Sequence, residues 1–228
     1  MPSHPAHRRS QIQRQCARLR PQPHNPSVDP VPKKLLVLDL DETLVHAAES
    51  RLEHAEDFRV GPYFVYQRPH LATFIDVVAR EFDLGVWTAS GENYAAQVID
   101  RVFPAGLLRF VWSSRRCTTA RDWTTGHYTT VKNLRKLKKQ GYRLEQIIAI
   151  DDTPSKYGRS YGNLVVVSEF VGSPDDSELL HLARYLRSLA SAPNVRTIEK
   201  RNWRSEVTRE TDPSGGAPGD GAAGPCRI

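Results

Sequence analysis

Long apolar runs mark the candidate strands of this chain. Near-continuous apolar character is typical of strands that a parallel sheet buries on both faces. Such runs cover residues 35–40, 84–90, 109–112, 146–152 and 163–168. The segment FRVGPYFVYQRP, 58–69, instead predicts a small β-hairpin that turns at Gly61-Pro62.

Apolar residues spaced by three or four positions predict helices between these strands. A helix with Pro69 in its first turn is indicated by the shared face of Leu71, Phe74, Ile75, Val78 and Phe82. A second helix has Tyr94, Val98 and Val102 on one face, and a short basic one, VKNLRKLKKQG, ends at Gly141.

A closing helix is predicted over residues 173–190. Ser173, Pro174 and Asp176 resemble an N-cap, first helical residue and third helical residue. Its buried stripe comprises Leu179, Leu182, Leu186 and Leu189. The alternating order of strands and helices predicts an α/β fold with a Rossmann-like, mostly parallel sheet flanked by helices.

Polar segments frame a single predicted domain at 34–192. Residues 1–33 are rich in proline and arginine and predict a disordered basic tail. Residues 193–228 end in DPSGGAPGDGAAGPCRI and predict a flexible C-terminal tail.

Most of the net charge of +6 belongs to the first tail. Residues 1–33 hold six basic side chains and one acid, whereas the other 195 residues hold 26 basic and 25 acidic ones. A basic tail attracts polyanions weakly. Since the domain has no overall basic bias, we expect no specific nucleic-acid site.

Cysteine usage and hydropathy favour an intracellular, soluble protein. The cysteines Cys16, Cys117 and Cys226 have neither metal-ligand nor redox spacing, which favours a reducing compartment. No apolar run approaches the 18 or so residues of a membrane span, and no signal peptide is recognisable. The prolines of the first tail argue against an organelle transit peptide. We expect a cytoplasmic or nuclear location, depending on the organism, and the oligomeric state stays open.

Acids and hydroxyls follow three of the predicted strands. The first strand ends in Asp39-Leu40-Asp41, the second in Thr88-Ala89-Ser90 and the fourth in Asp151-Asp152. Open α/β sheets place their working sites at the carboxyl ends of the strands. The sequence therefore predicts a polar site where these three ends meet.

Paired carboxylates at this edge suit metal-assisted chemistry. Asp39 and Asp41 point to the same side of an extended backbone, and Asp152 brings a third carboxylate. Three hard oxygen donors suit Mg²⁺ and require the side chains of residues 39 and 152 to lie close together. Within this pair, an ionised carboxylate can act as a nucleophile, while its neighbour, kept protonated, can act as acid and then base.

A phosphoryl group fits such a site because its negative oxygens need cations and donors around them. Thr88 and Ser90 can donate hydroxyl or backbone N–H bonds next to the following helix. Lys132 can neutralise the phosphoryl oxygens and the Asp39 carboxylate together.

Four segments carry a family resemblance: DLDETL, WTAS, the lysine of VKNL, and DDTP. Together, in this order, they resemble the motifs of haloacid dehalogenase superfamily phosphatases. The chain resembles one branch of this superfamily more closely: the NLI-interacting-factor-like phosphatases, which dephosphorylate the C-terminal domain of RNA polymerase II. The segment RPHLATFI and Asn163 also fit that branch. The resemblance covers about residues 34–190.

The resemblance implies a role for each site residue. Asp39 is the expected aspartyl-phosphate nucleophile, and Asp41 the general acid and base that also gives its backbone carbonyl to Mg²⁺. Thr88 and Lys132, with Ala89 in the same loop, are expected to bind phosphate.

Asp152 is the expected metal ligand, with Asp151 beside it. Two departures from the family pattern concern the surroundings: Asn133 replaces an acid, and Ser114 replaces an arginine, with Arg115 and Arg116 next to Cys117. Cys117 itself is expected to be an apolar filler, and Trp87 and Tyr94 to be core residues.

Spacing between the motifs bears on the substrate. Neither 45–68 nor 103–130 is long enough for a cap domain, since independent domains start at roughly 50 residues. The site should be open and suit a phosphorylated protein, with serine and threonine favoured by the resemblance. The alternatives are a capless small-molecule phosphatase and a non-catalytic binding module of the same fold.

Overall fold

The computed structural model describes residues 32–121 and 126–211. Apart from Pro32 and Lys33, the predicted N-terminal tail lies outside the described residues, as do residues 212–228. The strands are β1 Lys34–Leu38, β2 Val45–Ala48, β3 Phe58–Val60, β4 Tyr63–Gln67, β5 Phe82–Trp87, β6 Leu108–Trp112, β7 Thr118–Arg121, β8 Tyr128–Val131, β9 Ile147–Asp151 and β10 Leu164–Val166. The α-helices are α1 Leu71–Glu81, α2 Glu92–Val102, α3 Glu178–Ala190 and α4 Trp203–Thr211.

The central sheet has five parallel strands in the order β10-β9-β1-β5-β6. β1 lies in the middle, where Leu36 pairs with Leu84 on one side and Ile148 on the other. This position explains its unbroken apolar run, because both of its faces are buried. The predicted Rossmann-like arrangement is confirmed.

Side-chain alternation along β1 supplies two separate cores. Leu36 and Leu38 pack into the larger one, with buried residues of all four α-helices. Leu35 and Val37 pack into the smaller one, which includes Trp87 and Leu134. Helical elements therefore cover both faces of the sheet and leave its carboxyl edge to the site.

The predicted hairpin is present, with β3 and β4 antiparallel and Gly61 at φ +57 in the turn. It is one part of a larger element, since β2 also pairs with β4 and makes a three-stranded sheet. β2 follows the first motif directly. Sequence reasoning missed this short strand because it has no apolar run of its own.

Two predicted helix starts are wrong. α1 begins at Leu71 after His70, which has φ +66, so Pro69 precedes the helix. α3 begins at Glu178 rather than at Ser173. The Asp176 carboxylate instead accepts two hydrogen bonds from the buried guanidinium of Arg68, at 2.9 and 2.8 Å. It also accepts a hydrogen bond from the Glu178 N–H.

The basic segment is confirmed as helical, but as a 3₁₀ helix over Leu134–Gln140. Gly141 ends it at φ +90, as predicted. Asn133 is its N-cap and accepts from the Arg135 N–H. Lys132 therefore lies between β8 and this helix rather than on it.

The ordered chain continues past the predicted boundary at 192. A 3₁₀ turn at Val195–Thr197 leads to α4, and both Val195 and Trp203 are fully buried. The Trp203 indole donates to the Val166 carbonyl at 2.8 Å, and its ring lies 5.7 Å from that of Tyr185. A flexible tail starting at 193 is therefore wrong, because an aromatic anchor ties this segment to the core.

Trp203→Ala is expected to lower the free energy of unfolding by about 3 kcal/mol, the usual cost of removing a large buried aromatic side chain. Urea denaturation followed by circular dichroism measures it. Tyr128→Ala is the matched control, because Tyr128 is 73% exposed and its loss should cost little. Equal stability of the Trp203 variant and the wild type would contradict the assigned packing of this segment.

Within the described residues, no helix combines the length and apolar character needed to cross a bilayer.

Candidate active site

The three predicted strand ends meet at the carboxyl edge of the sheet. Asp39 follows β1 directly, and its N–H donates to the Ile150 carbonyl of β9 at 3.0 Å. Asp151 is the last residue of β9. Thr88 follows β5, and its N–H donates to the Trp112 carbonyl of β6 at 2.9 Å. Parallel register thus brings distant segments of the sequence to one place.

Two carboxylates and two ammonium groups form the buried centre of the site. Lys132 Nζ lies 2.9 Å from Asp39 Oδ1 and 2.6 Å from Asp151 Oδ2. Lys156 Nζ lies 3.0 Å from Asp39 Oδ2 and 3.3 Å from Asp151 Oδ1. Lys132 has no exposed side-chain surface, so it is not part of a solvated basic face.

These contacts set which acid keeps its charge. Burial alone would raise the pKa of Asp39, but the nearby Lys132 and Lys156 ammonium groups outweigh it and hold this pKa below its ordinary value. Burial and the negative charge of Asp39 raise the pKa of Asp151 to about 7. Asp39 is therefore the ionised carboxylate of the pair.

Asp41 lies apart from the lysines and is held by hydroxyl groups. Tyr94 donates to Asp41 Oδ1 at 2.6 Å, while Ser90 and Thr88 donate to Oδ2 at 2.6 and 3.2 Å. Burial and the Asp41 charge raise the pKa of Tyr94, so its phenol remains a donor. Asp39 and Asp41 thus have different surroundings, as two carboxylates with different tasks require.

A tight turn presents this pair to the site. Leu44 and Val45 both donate their N–H groups to the Leu40 carbonyl, at 2.8 and 3.0 Å, and Glu42 has a positive φ of 56. Arg68, almost fully buried, donates to the Thr43 carbonyl at 3.0 Å. The arginine connects the turn to Asp176 and so fixes it against the segment before α3.

Asp39, Asp151 and Asp152 form a group that suits a cation. Each offers one carboxylate oxygen, and these oxygens lie within 4.8 Å of one another. Thr43 and Thr153 donate to the two oxygens of Asp152, at 3.3 and 2.9 Å, and orient it.

Two Mg–O bonds of about 2.1 Å span at most about 4.2 Å, slightly less than this 4.8 Å limit, so small side-chain movements would bring the three oxygens onto one small hard ion. The close approach expected of residues 39 and 152 is therefore found. The Asp151 carboxylate belongs to this group, and the Asp41 side chain does not.

The loop after β5 contains the expected phosphate ligands. The Thr88 side chain is buried, and its oxygen accepts from the Ser90 N–H at 2.9 Å. Ala89 is exposed between them, and α2 begins at Glu92 after Gly91. The Thr88 N–H is used in the hydrogen bond to β6, so the Thr88 hydroxyl is the group that reaches the Asp41 carboxylate.

Sequence reasoning missed three residues of the site. Tyr94 packs against the larger core as expected, but its hydroxyl also donates to Asp41, which the sequence does not indicate. Lys156 lies four residues after Asp152. Nothing in the sequence indicates that its side chain contacts Asp39, which follows β1. Arg68 belongs to a recognised segment, yet only the tertiary fold brings Asp176 to it.

The two departures from the family pattern concern the rim. Asn133 caps a helix, and Ser114 donates its N–H to the Ser90 carbonyl at 2.9 Å. Arg115 lies beside Glu92, with Nη1 and Oε2 3.2 Å apart. Cys117 is half-buried and burial raises the pKa of its thiol, so it fits the predicted filler role.

No separate cap is found in the described parts of the two possible insertions. The first contains the three-stranded sheet β2-β4-β3, and the second contains β6 and the β7–β8 hairpin, whose residues 122–125 are not described.

The chain is similar to known phosphatases. Residues 34–196 match the model of the family described as NLI interacting factor-like phosphatase. The CTD nuclear envelope phosphatase 1 homolog of Drosophila melanogaster is 34% identical over 188 residues, covering 75% of this chain and 74% of that protein. The CTD small phosphatase-like protein 2 of Dictyostelium discoideum is 31% identical over 172 residues, covering 72% of this chain and 29% of that protein.

A solved structure has the same fold. Fcp1, an essential RNA polymerase II CTD phosphatase, superposes with a TM-score of 0.56 at 17% identity, over 80% of this chain and 66% of that chain. At this identity the likeness concerns the fold, and it agrees with the haloacid dehalogenase arrangement expected from the sequence.

Proposed function

The chain belongs to the NLI interacting factor-like phosphatase family and is a phosphoric monoester hydrolase, and from this premise we propose that it dephosphorylates phosphoserine and phosphothreonine in proteins. The proposed reaction passes through an aspartyl-phosphate on Asp39, with Mg²⁺ as the cofactor. The observation that carries the proposal is the environment of Asp39. It is a buried, ionised carboxylate 2.9 Å from Lys132, in the group of acids that can hold a cation.

In the first half of the reaction, the Asp39 carboxylate attacks phosphorus. The bond between phosphorus and the serine or threonine oxygen breaks, and Asp41 gives its proton to that oxygen. Lys132 offsets the negative charge of the transferred group, which the Thr88 hydroxyl and the Ala89 N–H also bind. The products are the free hydroxyl side chain and phospho-Asp39.

In the second half, the Asp41 carboxylate accepts a proton from water as the water oxygen attacks phosphorus. The acyl phosphate bond breaks, inorganic phosphate leaves and the Asp39 carboxylate returns. Mg²⁺, held by Asp39, Asp152 and the Asp41 carbonyl, would polarise the phosphoryl oxygens when bound. The hydroxyl groups of Ser90 and Tyr94 donate to Asp41 and fix the orientation of its carboxyl group.

A protein substrate is supported by the form and charge of the rim. Short insertions beside the site leave room for a segment of a large partner. Between Ser113 and Arg143 the sequence has nine basic side chains and one acid. Arg115 and Arg116 are exposed there, and the Arg116 carbonyl accepts from Lys136 Nζ at 2.6 Å. This basic rim, defined by Arg115, Arg116 and Lys136, suits an acidic or multiply phosphorylated segment.

Two assays test the proposal. Hydrolysis of p-nitrophenyl phosphate with and without Mg²⁺ tests the metal requirement, and loss of most activity after chelation is expected. Turnover of phosphoserine peptides compared with a panel of phosphorylated metabolites tests the substrate class. If metabolites react about a hundredfold better, the substrate is a small molecule and the inference from the open site is wrong.

The double variant Arg115→Glu/Arg116→Glu is expected to raise KM for an acidic phosphoserine peptide roughly tenfold, because two attractive charges become repulsive. Hydrolysis of p-nitrophenyl phosphate, which does not reach the rim, should change little. Steady-state kinetics at low ionic strength measures both.

Arg184→Glu/Arg187→Glu is the matched control. It makes the same charge change on the exposed side of α3, so an effect of net charge alone would appear in both variants. Unchanged peptide KM in the rim variant would assign peptide binding to another surface.

A further inference from the structure

Lys156 places a second ammonium group among the acids that can hold the cation. Its Nζ lies 3.0 Å from Asp39 Oδ2 and 3.3 Å from Asp151 Oδ1, so it bridges two of the three carboxylates of that group. Lys132 already bridges the same two acids through their other oxygens. The buried centre of the site therefore contains a second ammonium group, in addition to the Lys132 ammonium that is proposed to bind phosphate.

The two lysines differ in their access to solvent. Lys132 has no exposed side-chain surface, whereas 19% of the Lys156 side chain is exposed. Lys156 is therefore the ammonium group of this centre that is nearer to solvent. The ion and the ammonium group use two of the same carboxylates, those of Asp39 and Asp151, and like charges this close repel strongly in a partly buried site.

Only the side chain of Lys156 is involved in this arrangement. Its backbone carbonyl accepts from the Lys132 N–H at 2.8 Å, which fixes the segment beside β8. A substitution that keeps the backbone keeps this bond. The charge of Lys156 can therefore be removed without removing the contact that positions Lys132.

We propose that Lys156 is a tethered cation that competes with the divalent metal for Asp39 and the neighbouring carboxylates and so weakens metal binding at this site. The side chain has to move from Asp39 Oδ2 when the ion binds, and it is then free to approach the phosphoryl group from the solvent side. Lys156 is on this account a positioning residue that makes occupancy of the site depend on the metal concentration. The inference rests on the proposed metal site.

The test is the dissociation constant for Mg²⁺, measured by titration calorimetry on the full chain without substrate. Lys156→Met, which removes the charge and keeps the length, is expected to bind Mg²⁺ roughly tenfold more tightly than the wild type. Lys156→Arg keeps the charge and should bind within about threefold of the wild type. Lys139→Met removes an exposed lysine of the 3₁₀ helix, outside the acidic group, and it should not change the affinity.

Stability gives a second readout in case the Met variant folds poorly. Lys156→Gln also removes the charge, and saturating Mg²⁺ should raise its Tm by more than it raises that of the wild type. Tighter binding or a larger Tm increase in the neutral variants alone supports the proposal.

Each contrary result has its own meaning. Equal or weaker Mg²⁺ binding by Lys156→Met and Lys156→Gln than by the wild type overturns the competition and leaves the proposed phosphatase mechanism in place. If neither the wild type nor the variants bind Mg²⁺, the metal site of the proposed function fails, and this inference fails with it.

Discussion

Replacing Asp39 by Asn should abolish phosphatase activity, lowering kcat for p-nitrophenyl phosphate by at least about four orders of magnitude. The amide cannot form an acyl phosphate by direct attack, and the remaining groups only bind and polarise the substrate. The loss should appear with every phosphomonoester, whatever its leaving group. Steady-state rates with saturating Mg²⁺ measure it.

The folded state of this variant needs its own measurement, because Asp39 also contacts Lys132 and Lys156. Circular dichroism and a thermal melt show whether the loss is chemical. Asp83→Asn is a suitable control, since that carboxylate pairs with Arg109 on the surface, away from the site. An Asp39 variant within tenfold of the wild-type rate would rule out this side chain as the nucleophile.

Replacing Asp41 by Asn should lower kcat for a phosphoserine peptide by about three orders of magnitude, within the range of general acid–base catalysis. A serine alkoxide is a poor leaving group and needs the proton that Asp41 supplies. The p-nitrophenolate group leaves without it, so p-nitrophenyl phosphate should lose less activity in the first step. Rates for a series of aryl and alkyl phosphates give the dependence on the leaving group.

The dependence on leaving group separates chemistry from structure. A proton donor makes the wild-type rate nearly independent of leaving-group basicity, and its removal makes the slope steep. Tyr94→Phe keeps the carboxylate but removes the 2.6 Å bond to Oδ1, so it should give a smaller loss. If Asp41→Asn reduces all substrates by the same factor, Asp41 has a structural role instead.

The sequence is sufficient to predict the parallel sheet and the acidic residues at its carboxyl edge. A strand such as β1, buried on both faces, requires a continuous apolar run, and that run is visible without tertiary information. Asp39 and Asp41 are marked by their place immediately after it. The rule that parallel strands present their carboxyl ends together then brings Asp151 and Asp152 to the same edge.

The parts that sequence reasoning missed depend on contacts between distant segments. The bond between Arg68 and Asp176 joins residues 108 positions apart, and that between Lys156 and Asp39 spans 117 positions. No rule of sequence spacing predicts contact between residues so far apart in the chain. The burial of Arg68 also removes Asp176 from the capping role that its local sequence suggests.

The packing of the C-terminal segment also depends on contacts between distant residues. Residues after 192 have a polar composition and few apolar positions, which is typical of a tail. One tryptophan changes the outcome, because Trp203 fits between Tyr185 and the Val166 carbonyl and holds α4 against α3. A single large aromatic side chain can anchor a segment whose average hydropathy predicts none.

The most direct test of the account is to locate the phosphate on the enzyme during turnover. Acid quenching with a phosphoserine peptide, followed by proteolysis and mass spectrometry, should find an acid-stable, base-labile phosphate on the peptide that contains Asp39. The same peptide from Asp39→Asn should have none. Phosphate on another residue, or turnover with no phosphorylated enzyme at any quench time, would contradict nucleophilic catalysis by Asp39.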